Sequence, residues 1–116
     1  MIDLLIVEDN PFIGGSIVNA TKEYSGIGVL HLTETLQEAI SFLNVINFGV
    51  IVLDLNLPDG NGLELLRMIK EKHIKTKVFV FSVNTELKNM CLRYGATDFF
   101  DKANDFDKLI ETIKVA

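Results

Sequence analysis

Apolar positions along this chain follow two rhythms that take turns. Short unbroken apolar runs, Leu4-Leu5-Ile6-Val7, Val50-Ile51-Val52-Leu53 and Val78-Phe79-Val80-Phe81, are each bounded by polar or turn-forming residues. Runs of this length, rich in β-branched and aromatic residues, suit strands buried on both faces, as in a parallel sheet. A weaker run at 29–32 and a short one at 97–100 complete five predicted strands. Between them the apolar residues take helical spacing. Phe12, Ile13, Ile17, Val18 and Tyr24 give a first helix, and Leu36, Ala39, Ile40, Leu43 and Ile46 a second. Leu63, Leu66 and Ile69 give a third from near Asn61 to about Lys72. Leu87, Met90, Cys91 and Tyr94 give a fourth over about 85–94, and Phe106, Leu109, Ile110 and Ile113 a fifth. Boundary residues agree with these spans. Asn10-Pro11 reads as an N-cap and first helical position. Thr35-Leu36-Gln37-Glu38 fits a capping box. Gly26 and Gly28 stop the first helix, and Gly95 the fourth.

A strand followed by a helix, five times over with short connections, predicts an α/β fold: a doubly wound five-stranded parallel sheet, (βα)5, with right-handed crossovers. The flavodoxin-like strand order 2-1-3-4-5 is expected, in one domain over residues 1–116. In such sheets ligands bind at the carboxyl ends of the strands, where the order reverses. Here that point lies between strands 1 and 3.

The central stretch is 49–62, GVIVLDLNLPDGNG, in which Asp54 follows the third strand directly. Glu8 and Asp9 follow the first strand, Ser82 ends the fourth, and Lys102 lies just past the fifth. Four strand ends therefore bring three carboxylates, a hydroxyl and an ammonium to one edge. Crowded carboxylates repel unless protons or a cation intervene. A hard cation with oxygen ligands is the natural partner, and Mg²⁺ takes one or two carboxylates, several waters and a phosphate oxygen. Asp9 and Asp54 can ligate directly, the Asn56 backbone carbonyl can be a third ligand, and Glu8 can act through a water. Lys102 can hold an incoming phosphoryl group or pair with Asp54 without it. Ser82 can donate a hydrogen bond to a phosphoryl oxygen. Together these parts suit phosphoryl transfer to Asp54 as a carboxylate nucleophile. Asp59 and Asp98 read as turn and edge-strand residues, and His31 as a core or edge histidine. Cys91 reads as a small buried hydrophobe.

Composition and charge narrow the picture. Apolar residues make up 48% of 116 residues, enough for a core,. No apolar run approaches the roughly 20 residues of a membrane helix, and the first ten residues lack the basic region of a signal peptide. The single cysteine excludes an internal disulfide,. A cytoplasmic location is expected, without membrane attachment. Net charge of −5 argues against nucleic-acid binding by this domain itself,. The charge is uneven, with nine acids and one base in residues 1–66 against ten bases and seven acids in 67–116. Five of those bases lie between Arg67 and Lys77. They read as a solvated helix end complementing the dipole, with a docking patch as the alternative.

On Glu8-Asp9, VLDLNLPDGNG around Asp54, Ser82, and Gly95-Ala96 through Phe99 to Lys102, the chain resembles the response-regulator receiver domain of bacterial two-component signalling. The likeness runs over essentially the whole chain. It implies that Asp54 is the phosphoacceptor, Asp9 and the Asn56 carbonyl are Mg²⁺ ligands, and Glu8 is the outer-sphere acid. It implies that Lys102 binds phosphate and that Ser82 and Phe99 form a switch pair reporting to the surface of helix 4, strand 5 and helix 5. It further implies a histidine kinase or histidine phosphotransfer protein as partner, and a homodimer through that surface. The domain would catalyse only its own phosphorylation and dephosphorylation, with transcription as one regulated output. Two departures stand out: Val83, where a small residue is usual, is expected to crowd the site, and Ala103 replaces a common proline and is expected to loosen its loop. Asn56 and Asn84 occupy positions that tune hydrolysis in the family. The alternative within the same fold is a pseudo-receiver acting only as a docking module. A phosphatase of the haloacid dehalogenase type would need a second aspartate where Asn56 stands. A flavin carrier would need a phosphate loop where Glu8-Asp9 would repel phosphate.

Overall fold

The computed structural model describes residues 1–116. Strands β1 (Ile2–Val7), β2 (Ile27–Thr33) and β3 (Val50–Leu53) are followed by two short strands, β4 (Asn56–Leu57) and β5 (Gly60–Asn61), then β6 (Lys77–Ser82) and β7 (Asp98–Asp101). The helices are α1 (Pro11–Thr21), α2 (Leu36–Leu43), α3 (Gly62–Glu71), α4 (Lys88–Arg93) and α5 (Phe106–Lys114), with a 3₁₀ turn at Thr85–Leu87. The long strands form one parallel sheet in the order β2-β1-β3-β6-β7. Counted without the small antiparallel hairpin β4–β5, this is the expected 2-1-3-4-5.

Side-chain alternation along the strands divides the core in two. Leu5, Val7, Ile51, Leu53, Val78, Val80 and Phe99 face α2, α3 and Cys91 of α4. Leu4, Ile6, Val50, Val52, Phe79, Phe81 and Phe100 face Ile17 of α1 and Leu109, Ile110 and Ile113 of α5. Phe99 and Phe100 thus lie on opposite faces, as alternation requires.

Helix ends follow their local chemistry. The Asn10 side chain accepts from the N–H groups of Phe12 and Ile13, at 2.9 and 3.2 Å. At the start of α2 the Thr35 hydroxyl accepts from the Glu38 N–H at 3.1 Å. A second cap arrives from the β4–β5 hairpin, where the Asp59 carboxylate accepts from the N–H groups of Leu36 (2.7 Å) and Gln37 (2.9 Å). These two bonds hold its carboxyl below the usual carboxylate range,. Asp59 is therefore a helix cap as well as the turn residue expected from sequence. At the end of α4, Gly95 (φ 103°) takes the left-handed position; its N–H donates to Leu92 O and that of Ala96 to Cys91 O,.

Three sequence readings shift. Phe12, placed on the inward face of α1, is 83% exposed, because the buried stripe runs through Gly14, Ile17 and Thr21. In α4 only Cys91 is buried, and Met90 is exposed. The element begins as a 3₁₀ turn with three residues per turn, so a spacing counted at 3.6 from Thr85 drifts off the inward face. The β7–α5 loop, expected to be loose at Ala103, is tied down instead. The Ala103 N–H donates to Asp101 Oδ1 at 2.9 Å, a bond proline cannot make, and the Asp101 N–H donates to Asp105 Oδ2 at 2.9 Å,. Val83 is exposed. No helix is long and apolar enough to cross a membrane.

Candidate functional site

The register of the sheet sets four strand ends at one level. Val7 pairs with Leu53, Leu53 with Val80, and Ser82 with Asp101. Glu8, Asp54, Ser82 and Lys102 therefore emerge together, and the Lys102 N–H donates to Ser82 O at 3.0 Å.

Glu8 and Asp54 are both buried, Asp54 being 3% exposed. A buried carboxylate needs partners. Glu8 accepts from Lys102 Nζ at 2.8 Å and from the Asn10 N–H at 3.1 Å. Asp54 Oδ1 lies 3.4 Å from Lys102 Nζ and accepts from the Asn56 N–H at 3.2 Å. Lys102 thus sits nearer Glu8 than the Asp54 expected from sequence, and its ammonium also lies 5.8 Å from the Phe81 ring centroid,. Asp9 is exposed, yet one oxygen each of Glu8, Asp9 and Asp54 lie within 4.8 Å of one another.

Three carboxylates therefore face one ammonium. Burial, and next the charge of Glu8, push the Asp54 carboxyl up to about 7, against the opposing pull of Lys102 and the Asn56 N–H,. The pocket is short of positive charge and offers only oxygen donors from acids, so the residues present fit a hard divalent cation.

Ser82 is buried at the same edge, but its Oγ is engaged elsewhere, accepting from the Asn84 N–H at 3.0 Å. Asn84 Oδ1 in turn accepts from Asn56 Nδ2 at 3.1 Å, and Asn84 Nδ2 donates to Glu86 Oε1 at 3.1 Å. The two asparagines join the loops after β3 and β6. Phe99 lies inward, 7% exposed, in the cluster that includes Val80 and Cys91. Phe99, expected from sequence to pair with Ser82 as a switch, thus has its ring already packed inward.

The geometry thus brings together Glu8, Asp9, Asp54 and Lys102 and holds Ser82 back. The sequence reading missed the exposed Phe12. With Ile13, Ser16, Phe81, Lys102 and Phe106 it lines a cavity of about 110 Å³ beside the lysine. The small residues at 14 and 15 were the available signal that the buried stripe of α1 starts after Phe12.

The family model described as the response regulator receiver domain matches residues 4–114. The chain belongs to that family. This receiver domain is 33% identical over 110 residues to the transcriptional regulatory protein MalR of Bacillus subtilis, covering 93% of this chain and 47% of MalR. It is 33% identical over 112 residues to the cell cycle response regulator CtrA of Brucella ovis, covering 95% of this chain and 47% of CtrA. It spans about half the length of these curated relatives. Among solved structures, the receiver domain of the Francisella response regulator 1452 superposes with a TM-score of 0.89 at 28% identity, covering 99% of this chain and 95% of that one. The BeF3-activated DrrB receiver domain superposes with a TM-score of 0.85 at 26% identity, covering 99% and 96%. Receiver domains of response regulators bind Mg²⁺ at a cluster of acidic residues and interact with histidine kinases or phosphotransfer proteins.

Proposed function

We propose that this receiver domain accepts a phosphoryl group on Asp54, from a histidine kinase or a histidine phosphotransfer protein, in a Mg²⁺-dependent reaction. One observation carries the reading: a buried aspartate at the end of the central strand, grouped with the carboxylates of Glu8 and Asp9 and within reach of the Lys102 ammonium. Asp54 attacks the phosphorus of a phosphohistidine; the new O–P bond makes an acyl phosphate while the P–N bond breaks and its electron pair returns to the imidazole. Asp9, Asp54 and the Asn56 carbonyl would hold the Mg²⁺, with Glu8 acting through water. Bound there, the ion supplies charge neutralisation for the phosphoryl oxygens. Lys102 shifts its ammonium from the carboxylates to the phosphoryl group, and the Ser82 hydroxyl leaves the Asn84 N–H to donate to a phosphoryl oxygen. The domain serves as a signalling phosphoacceptor and not as an enzyme of general turnover. The names of MalR and CtrA support transcription and cell-cycle control as classes of downstream response.

The test is intact-mass measurement after incubation with acetyl phosphate and Mg²⁺. The chain should gain one phosphoryl group, and Asp54→Asn should gain none. An unchanged gain in Asp54→Asn places the acceptor elsewhere, and no gain in either chain favours a domain that only docks.

A further inference from the structure

The cations of residues 67–77 play no part in the phosphoacceptor pocket. Cations at the end of a helix ordinarily complement its dipole. Lys70 does so for the neighbouring helix, its Nζ donating to Arg93 O at 3.0 Å. Arg67 does not. Its guanidinium lies 5.2 Å from the centroid of the Tyr94 ring, and it enters none of the ion pairs of the molecule. A guanidinium supported on a ring keeps the N–H groups of its edge free as a fork for an oxyanion.

That fork faces a cavity. Arg67, Lys70, Glu71, His73 and Tyr94 line a cleft of about 490 Å³, the largest in the molecule. A second cavity of about 180 Å³ shares Lys70, His73 and Tyr94 and reaches Thr76. Thr76 Oγ1 is buried and has no hydrogen-bond partner, and it is the only such side-chain atom in the structure. Buried hydroxyls without partners are rare, because leaving the bond unmade is unfavourable.

His73 adds a third observation. It follows the end of α3 with φ 53°. Its N–H donates to Lys70 O, and the Ile74 N–H donates to Ile69 O. At this left-handed position glycine is the residue that local physics prefers. Gly95 fills the same position after α4. A histidine stands here against that preference, and it lines both cavities,.

We infer that the cleft between the carboxyl ends of α3 and α4 is a binding site for a small polyanion of phosphate or carboxylate chemistry. Arg67 provides the fork, Lys70 and His73 supporting donors, and Thr76 the hydroxyl. The volume is that of a small-molecule site. Glu71 opposes a bare anion, so affinity for one is modest. The site is separate from the Asp54 pocket and does not depend on how that pocket functions.

The experiment is a residue-resolved NMR titration of the 116-residue chain, free of Mg²⁺, with pyrophosphate and separately with citrate. Saturable shifts are expected at Arg67, His73, Thr76 and Gly95, with Glu8, Asp54 and Lys102 unmoved. Arg67→Gln should weaken binding by about tenfold or more, as expected for a lost charge-assisted bond. Thr76→Val should weaken it by roughly threefold to tenfold while leaving Tm equal or higher, since it deletes a hydroxyl that the free protein leaves unpaired. His73→Gly should raise Tm and still weaken binding, a combination that a merely structural role would not give. A response to pyrophosphate alone assigns the site to phosphate chemistry, and one to citrate alone to carboxylates. Shifts that never saturate, or an affinity retained in both Arg67→Gln and Thr76→Val, would overturn the site.

Discussion

Asp54 must be buried to sit at the end of β3, yet the proposed role as a nucleophile requires it charged, and these demands conflict. Its carboxyl is lifted from 3.8 to about 7, first by burial and then by Glu8. The native state therefore keeps a proton that the unfolded chain releases above about pH 4. Native stability from this group is complete below that pH and is lost as pH rises toward 7. Asp59 acts in the opposite sense: its lowered pKa gives stability that is present above its unfolded value and is lost as pH falls through the folded one,. Without metal, Asp54→Asn should be more stable than the parent at pH 8 by roughly 1–3 kcal/mol, read as a higher urea midpoint at constant m-value. The gap should close at pH 4. Identical midpoints at pH 8 would mean that the carboxylate is not strained by its surroundings. Mg²⁺ should narrow the same gap, because an ion that binds only the folded parent stabilises it.

The β4–β5 hairpin is where one element does several jobs. It begins just past Asp54, caps α2 through Asp59, and delivers the chain to α3 at Gly62. A Cβ at Gly62 would collide with the Asp54 carbonyl oxygen and press on Leu55 Cα, both of them backbone. Gly62→Ala should therefore destabilise the fold by about 2–4 kcal/mol. It should also reduce phosphorylation of whatever remains folded, read as intact mass against circular dichroism. Normal stability and phosphorylation in this variant would show that the loop has room to move. The hairpin also marks the limit of what the sequence discloses. Long strands, helices and caps are written in local spacing, as in Leu4–Val7 or Asn10-Pro11, and the acid–lysine set could be placed once strand ends were known. Asp59 reaching α2 across 23 positions, or Asn56 meeting Asn84 across 28, leaves no such trace. These are single polar contacts between loops, fixed only when the sheet brings the loops together. Phe12 was misplaced for a related reason: apolar identity suggested burial where the stripe of α1 had not yet begun.

Across the molecule, the resting arrangement is mixed. Ser82 is held by Asn84, while Phe99 already fills the core. Phosphorylation is thus expected to move the hydroxyl and bias the ring, with the surface of α4, β7 and α5 following as a shift in populations. Beryllofluoride with Mg²⁺ should change NMR signals over residues 85–94 and 97–106, and Ser82→Ala should bind the mimic with a smaller response there. Changes confined to the Asp54 pocket would rule out this route. The alternation that puts Phe99 with α4 and Phe100 with α5 means that disturbance on one face of the sheet need not disturb the other. The strand order carries a consequence for biosynthesis. Lys102 follows β7, the last strand to be made and an edge of the sheet, whereas Glu8 and Asp54 lie early in the chain. A nascent receiver still lacking its final strand holds Glu8 and Asp54 without the Lys102 ammonium that faces them. On the proposed function, competence to accept a phosphoryl group is expected only once the sheet closes, so unfinished copies on the ribosome should not respond to a phosphodonor.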